Sequence, residues 1–289
     1  MPKVAILYIA LNRYSIFWKD FYLSCEKYLE NADKEYFIWT NNGPEEFIGA
    51  DTGRVHIFPA TPRGWPYDSE LRFEMFSAKA DILSKFDYIY FFNANMQFIN
   101  PTDLSEIAPH DWNDGLVAGI HPGVLRDSNP NPDRFFYERR PESTAFIPYG
   151  SGRYYVCGAF NGGTADAFLE MCKTLARNVQ TDWDNGINAI VDDESHLNAY
   201  MYKRNFLLAG VGYGFPEQEL KRLARRYRQM VKVISRAKDS PKYGGTRWLR
   251  GTTNRKMVYI PGLKTAGRIA SGLFWSVKIR KKIRGFCGG

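Results

Sequence analysis

Two hydrophobic patterns alternate along the first half of the chain. Short runs of consecutive apolar, β-branched and aromatic residues lie at 3–10, 36–40 and 55–58, and each predicts a buried strand. A fourth run opens 86–98 as Phe86-Asp87-Tyr88-Ile89-Tyr90-Phe91-Phe92. Between these runs, apolar residues recur every three to four positions. Residues 14–29 place Phe17, Phe21, Cys25 and Tyr28 on one side of a helix, and 69–85 reads as another. Strand–helix alternation of this kind predicts an α/β fold with a doubly wound, largely parallel sheet.

The fourth strand stops at Asn93-Ala94-Asn95-Met96. Ligands of open α/β sheets bind at the carboxyl ends of strands, so this polar pair stands where a substrate would sit. By spacing alone Asn-Ala-Asn is also an ordinary turn. Residues 100–149 have a different texture, rich in Pro, Asn and Asp. A further strand, Arg153-Tyr154-Tyr155-Val156-Cys157, then runs into Gly158-Ala159-Phe160-Asn161-Gly162-Gly163, small residues that let backbone approach a ligand. Residues 165–179 are helical, Trp183-Asp184-Asn185-Gly186 is a turn, and Asp192-Asp193-Glu194-Ser195-His196-Leu197-Asn198 opens another helix. Acids in a first helical turn are also favoured by the macrodipole alone.

Charge changes this picture more than composition does. The chain of 289 residues carries a net +8, but residues 221–289 hold 20 Lys and Arg against one acid, Asp239. The tail is therefore +19 and the first 220 residues −11. A basic tail on an acidic body points to nucleic acid, an anionic membrane surface or a phosphate-bearing small ligand. Aromatics reach 16%, suited to stacking on sugars and bases as well as to packing. No apolar run approaches the roughly 20 residues of a membrane span. Met1-Pro2-Lys3-Val4 leads directly into a strand, so neither signal peptide nor N-terminal anchor is expected. Cys25, Cys157, Cys172 and Cys287 form no Cys-x-x-Cys, and the four histidines show no zinc spacing. Reduced thiols and a cytoplasmic location are expected.

Taken together, these stretches resemble glycosyltransferase family 6, which includes the blood-group A and B transferases and the α-1,3-galactosyltransferases. The matching pieces are Trp65 with Arg72, Asp87-Tyr88 leading to Asn93-Ala94-Asn95-Met96, and His121-Pro122-Gly123. They continue with Tyr137-Glu138-Arg139-Arg140-Pro141, Tyr154 through Gly163, Asn185-Gly186-Ile187 and Asp193-Glu194-Ser195-His196-Leu197-Asn198. They keep their order over about residues 4–200. Asn-x-Asn replaces the Asp-x-Asp that holds a divalent cation in the animal enzymes, and resembles the metal-independent bacterial members. Asn is a weak, neutral ligand for Mg²⁺ or Mn²⁺.

The resemblance implies a GT-A fold over 1–240, a basic tail over 241–289, and retaining transfer of GalNAc or Gal from UDP to the 3-hydroxyl of a β-galactoside. Ile9, Ala10, Leu11 and Tyr14 would line the uridine site, and Trp65 and Arg72 would border the donor pocket. Asn93, Ala94 and Asn95 would contact ribose, sugar or phosphate. Cys157, Gly158 and Ala159 would floor the pocket under the 2-substituent. Gly158-Ala159 resembles the galactose-selective pattern, whereas Cys157, smaller than the usual Met or Leu, leaves room for an N-acetyl group and tips the reading to GalNAc. Asp193 would hold donor hydroxyls, His121 the acceptor galactose, and Glu194 would sit beneath the anomeric carbon. Val191 replaces the family's usual acceptor-binding Trp, which alters the acceptor pocket. Glu138-Arg139-Arg140 reads as a structural ion pair near the site. His196 can support a neighbouring helix or touch substrate.

Without a metal, the leaving diphosphate needs protein cations. Arg236 and Lys238 are the expected pair, from a basic segment that folds over the nucleotide in this family. Ile269, Leu273, Phe274 and Val277 lie near helical spacing, followed by Lys278, Arg280, Lys281, Lys282 and Arg284. That pattern suits a peripheral membrane contact and a lipid-linked acceptor; a solvated tail fits it equally. Two other readings carry less: another UDP-hexose donor, and a nucleic-acid binder, for which Arg247-Trp248 and Phe274-Trp275 are thin support.

Overall fold

The computed structural model describes residues 1–110, 112–126 and 131–258. The amphipathic basic stretch expected over 265–286 lies outside the described residues, as does Cys287.

Seven strands build the central sheet: β1 (Lys3–Ala10), β2 (Asp33–Thr40), β3 (Val55–Pro59), β4 (Tyr88–Phe92), β5 (Leu116–Ile120), β6 (Val156–Thr164) and β7 (Leu207–Ala209). Their order is β7-β5-β6-β4-β1-β2-β3. β1 pairs in parallel with β2 and β4, β2 with β3, and β7 with β5. β6 alone runs against both its neighbours.

The continuous apolar run of β1 is explained by burial on both faces. Val4, Ile6, Tyr8 and Ala10 pack with Trp18, Phe21 and Cys25 of helix α1 (Trp18–Tyr28). Ala5 and Leu7 point the other way. They meet Phe73 and Phe76 of the short helix α2 (Arg72–Ser77) and Phe168, Met171 and Leu175 of α3 (Ala165–Asp184). Burying one such Leu or Phe side chain contributes roughly 1.5–3 kcal/mol. The two cores therefore fix β1 at the centre and set its carboxyl end at the sheet's upper edge.

Three expectations from the pattern change. The helix over 14–29 begins as a 3-10 turn, Asn12–Phe17, and is α-helical only over Trp18–Tyr28. The helix over 69–85 is three pieces: Tyr67–Glu70, Arg72–Ser77 and Ala80–Leu83. The broken course buries Glu70 and Arg72, and each finds a polar partner inside. Finally, the Pro- and Asn-rich texture of 100–149 conceals β5, whose Ala118 and Gly119 have weak strand propensity.

A smaller sheet carries the C-terminal part back to the main one. Val233–Ser235 pairs antiparallel with Met96–Phe98, directly after Asn-Ala-Asn. The next residues cross to the turn after β1. There Phe17 meets Tyr243 with ring centroids 4.5 Å apart, and Arg13 Nη1 donates to the Trp248 carbonyl at 2.7 Å.

Candidate active site

A cavity of about 340 Å³ opens at the carboxyl ends of β1 and β4. Ile9, Leu11, Asn12 and Tyr14 follow from β1, and Phe91, Asn93 and Ala94 from β4. Because β6 is antiparallel, its beginning lies at this same edge: Asn93 N–H donates to the Ala159 carbonyl at 2.9 Å. Cys157, Gly158 and Ala159 thereby join the lining. Trp65, Asp68, Ser69 and Arg72 form one wall, and Val191 to Glu194 another. Lys238 and Arg250 enter from the C-terminal segment.

Gly158 ties the floor together. Its carbonyl accepts from Arg72 Nη1 at 2.8 Å, and its N–H donates to Glu194 Oε2 at 2.7 Å. Arg72 also forms an ion pair with Asp193. A Cβ at position 158 would stand 2.8 Å from Asp193 Oδ2 and 3.1 Å from Arg72 Nη2, so only glycine leaves the pair intact. Helix α4 (Asp192–Met201) presents both acids in its first turn. One turn on from Glu194, the Asn198 amide pairs with the Val156 backbone in both directions at 2.9 Å, docking the start of β6 onto α4.

Charges of both signs line the cavity: Asp68, Asp192, Asp193 and Glu194 against Arg72, Lys238 and Arg250. Burial pushes the Asp193 carboxyl up to about 6, against the pull of Arg72. Lys238 is pushed below the usual lysine range, first by burial and then by the like charge of Arg250. Arg250 lies 5.0 Å over the Trp65 ring. Lys238 and Arg250, entering from the same segment, offer a site for an anion. Burial, and then the Glu194 charge, raise the Cys157 thiol and the Tyr155 hydroxyl.

Of the residues singled out in the sequence, Ile9, Leu11, Tyr14, Trp65, Arg72, Asn93, Ala94, Cys157, Gly158, Ala159, Asp193, Glu194 and Lys238 share this cavity. Four others lie outside its lining. The Ala10 side chain is buried in the core. Asn95 is 3% exposed and turned away: its Nδ2 donates to Ser235 Oγ at 2.9 Å and to the Arg236 carbonyl at 2.7 Å. Arg236 pairs with Glu217 and Gln97, with Asp20 3.8 Å off. His121 stands beside the lining, a ring nitrogen within 4.8 Å of Cys157 and Glu194.

Nearby polar groups brace the site. Glu138 binds Arg140 through both carboxylate oxygens and accepts from Ile190 N–H at 2.9 Å, securing the approach to α4. His196 is buried, 3.7 Å from Asp182 of α3, which makes it a support between helices. Asn12, Asp68, Ser69 and Arg250 line the cavity without having been singled out. Arg250 was discoverable as one of the 20 tail cations, but nothing in the composition distinguished it.

Comparison with known proteins agrees with this arrangement. The family model of Glycosyltransferase family 6 matches residues 3–238. The O-antigen biosynthesis glycosyltransferase WbnI of Escherichia coli is 31% identical over 74% of this chain and 88% of its own. Histo-blood group ABO system transferase 2 of Rattus norvegicus is 28% identical over 68% of this chain, which spans 58% of that protein. Globoside alpha-1,3-N-acetylgalactosaminyltransferase 1 of Gallus gallus is 30% identical over 68% of this chain and 57% of its own length. The mixed sheet, the cavity at its carboxyl edge and these matches agree: the chain belongs to glycosyltransferase family 6 and is a glycosyltransferase.

Proposed function

We propose that the chain transfers GalNAc or Gal from UDP to the 3-hydroxyl of a β-galactoside, retaining the anomeric configuration and using no metal ion. The observation that carries this reading is the pair Lys238 and Arg250, two cations facing one cavity, with the lysine pushed below its usual range first by burial and then by Arg250. A diphosphate answers both charges.

The uridine lies along Ile9, Leu11 and Tyr14. The sugar rests over Cys157–Ala159, where the small Cys157 and Gly158 admit a 2-acetamido group, and Asp193 accepts from its hydroxyls. As the C1–O bond to UDP breaks, Lys238 and Arg250 take up the charge growing on the diphosphate. Both routes to retention use Glu194: it attacks C1 as a nucleophile, or it stabilises an oxocarbenium ion within a tight pair. The acceptor oxygen then bonds to C1, breaking the Glu194–C1 bond and freeing the carboxylate on the covalent route, and its proton passes to an oxygen of the departing diphosphate.

Metal independence rests on Asn95. Its amide protons serve Ser235 Oγ and the Arg236 carbonyl, so position 95 anchors the segment that leads to Lys238 and offers no carboxylate to a cation. Among the described residues no helix is long and apolar enough to cross a membrane. A peripheral contact with a lipid-linked acceptor is the reading that the basic sequence of the C-terminal tail supports.

The test is a donor-by-acceptor screen with EDTA throughout. UDP release from UDP-GalNAc or UDP-Gal, stimulated by a β-galactoside and giving an α-linked product, is expected. Activity abolished by EDTA and restored by Mn²⁺ contradicts the proposal, and turnover confined to UDP-Glc replaces the donor.

A further inference from the structure

At the edge of the cavity, three metal-ligating side chains converge. A ring nitrogen of His121, the Cys157 sulfur and a Glu194 oxygen all lie within 4.8 Å of one another, and all three residues are partly accessible. They come from separate parts of the chain: the residue after β5, the second residue of β6 and the first turn of α4. Only the fold brings them together, which is why their sequence spacing gave no zinc signal.

We propose that His121, Cys157 and Glu194 form a binding site for a thiophilic divalent cation, zinc above all, that closes the active site. The donor set is sulfur, imidazole nitrogen and carboxylate oxygen. It suits Zn²⁺ and disfavours Mg²⁺ or Mn²⁺, which prefer all-oxygen ligands. Zinc bonds of about 2.0–2.3 Å put tetrahedral ligands roughly 3.5 Å apart. The three side chains therefore need to close by about 1 Å, within the reach of side-chain rotation. Three protein ligands leave a fourth position for water.

The present hydrogen bonds set the conditions for entry. Glu194 Oε2 is held by Gly158 N–H at 2.7 Å and the Tyr155 hydroxyl lies against the same carboxylate, so the ion competes with both. His121 Nδ1 accepts from Gly123 N–H at 3.0 Å, so coordination costs that bond, by turning the ring or shifting its proton. The Cys157 thiol loses its proton to solvent as the metal–sulfur bond forms.

The consequence rests on the role proposed for Glu194. With zinc bound, its charge is neutralised and the face below the sugar is blocked. Zinc is then an inhibitor, whereas a metal on the diphosphate would be an activator.

The test uses tag-free full-length protein, reduced, with Co²⁺ as the spectroscopic probe and Zn²⁺ as competitor. One equivalent of Co²⁺ is expected to give a near-ultraviolet thiolate-to-cobalt band that Zn²⁺ abolishes. Cys157→Ser should lose the band, and His121→Ala should bind at least tenfold more weakly. Zinc should inhibit transfer, with Cys157→Ser at least tenfold less sensitive than wild type. Absence of the band, or an equal band in Cys157→Ser, overturns the site. A band in a protein that transfers neither GalNAc nor Gal supports the metal site and removes the proposed donor and acceptor instead. Transfer without a band does the reverse.

Discussion

Arg72 and Asp193 form an ion pair on the floor of the cavity, and the guanidinium reaches it almost completely buried, 4% exposed. Phe91 covers the guanidinium at 4.8 Å. Removing one member of such a pair leaves the other charged and without its partner. Arg72→Ala is expected to lower unfolding stability by about 3–5 kcal/mol. The double variant with Asp193→Asn should recover part of that loss in a denaturant titration, yet remain inactive. Additive losses would mean that the two side chains do not share one interaction.

Gly158 limits what else the floor can carry. Gly158→Ala brings a methyl group to 2.8 Å from Asp193 Oδ2. Transfer should fall at least about tenfold, mainly in kcat, because a displaced carboxylate mispositions the donor sugar. A fully active Ala variant would show that the Arg72–Asp193 geometry is not used.

The raised Asp193 carboxyl predicts an acid limb. A folded-state pKa of about 6 means the group gains a proton as the pH falls through 6 and stops accepting from donor hydroxyls as a carboxylate. Affinity for the UDP-sugar should therefore weaken below about pH 6 while affinity for UDP alone changes less. Calorimetric titration of both ligands from pH 5 to 8 separates the two, and parallel curves would count against Asp193 as the sugar's contact.

Asn95 separates architecture from metal chemistry. Asn95→Asp replaces two N–H donors with a carboxylate facing the Arg236 carbonyl. A stability loss of about 1–3 kcal/mol is expected, without any gain of Mn²⁺ dependence. Thermal unfolding and an Mn²⁺ titration check the two halves of this statement. Stimulation by Mn²⁺ in the variant would show that position 95 faces the diphosphate after all.

Much of the site was readable because its residues sit at strand ends and in a helix's first turn. Asn93 closes an apolar run, and Asp193-Glu194 opens a helix whose Asn198 returns one turn later to β6. The direction of the C-terminal cations was not readable. Arg236 and Lys238 are two residues apart, yet the pairing of Val233 with Phe98 turns Arg236 toward Glu217, while Lys238 reaches the cavity. Arg250 arrives because Phe17 packs on Tyr243 and Arg13 donates to the Trp248 carbonyl, docking the following turn against the start of the chain. Composition counts charges; tertiary packing aims them. β5 was missed for a related reason, since its small residues are strand only by virtue of the partners on either side.

The central claim is that Lys238 and Arg250 do the work of a bound cation on the departing diphosphate. The direct measurement is kcat for donor turnover in EDTA, for wild type and for Lys238→Ala and Arg250→Ala. Full wild-type activity in EDTA is predicted, with kcat down about 10²-fold in each variant and no recovery on adding Mn²⁺. A wild-type enzyme silent in EDTA, or variants that turn over normally there, would contradict it.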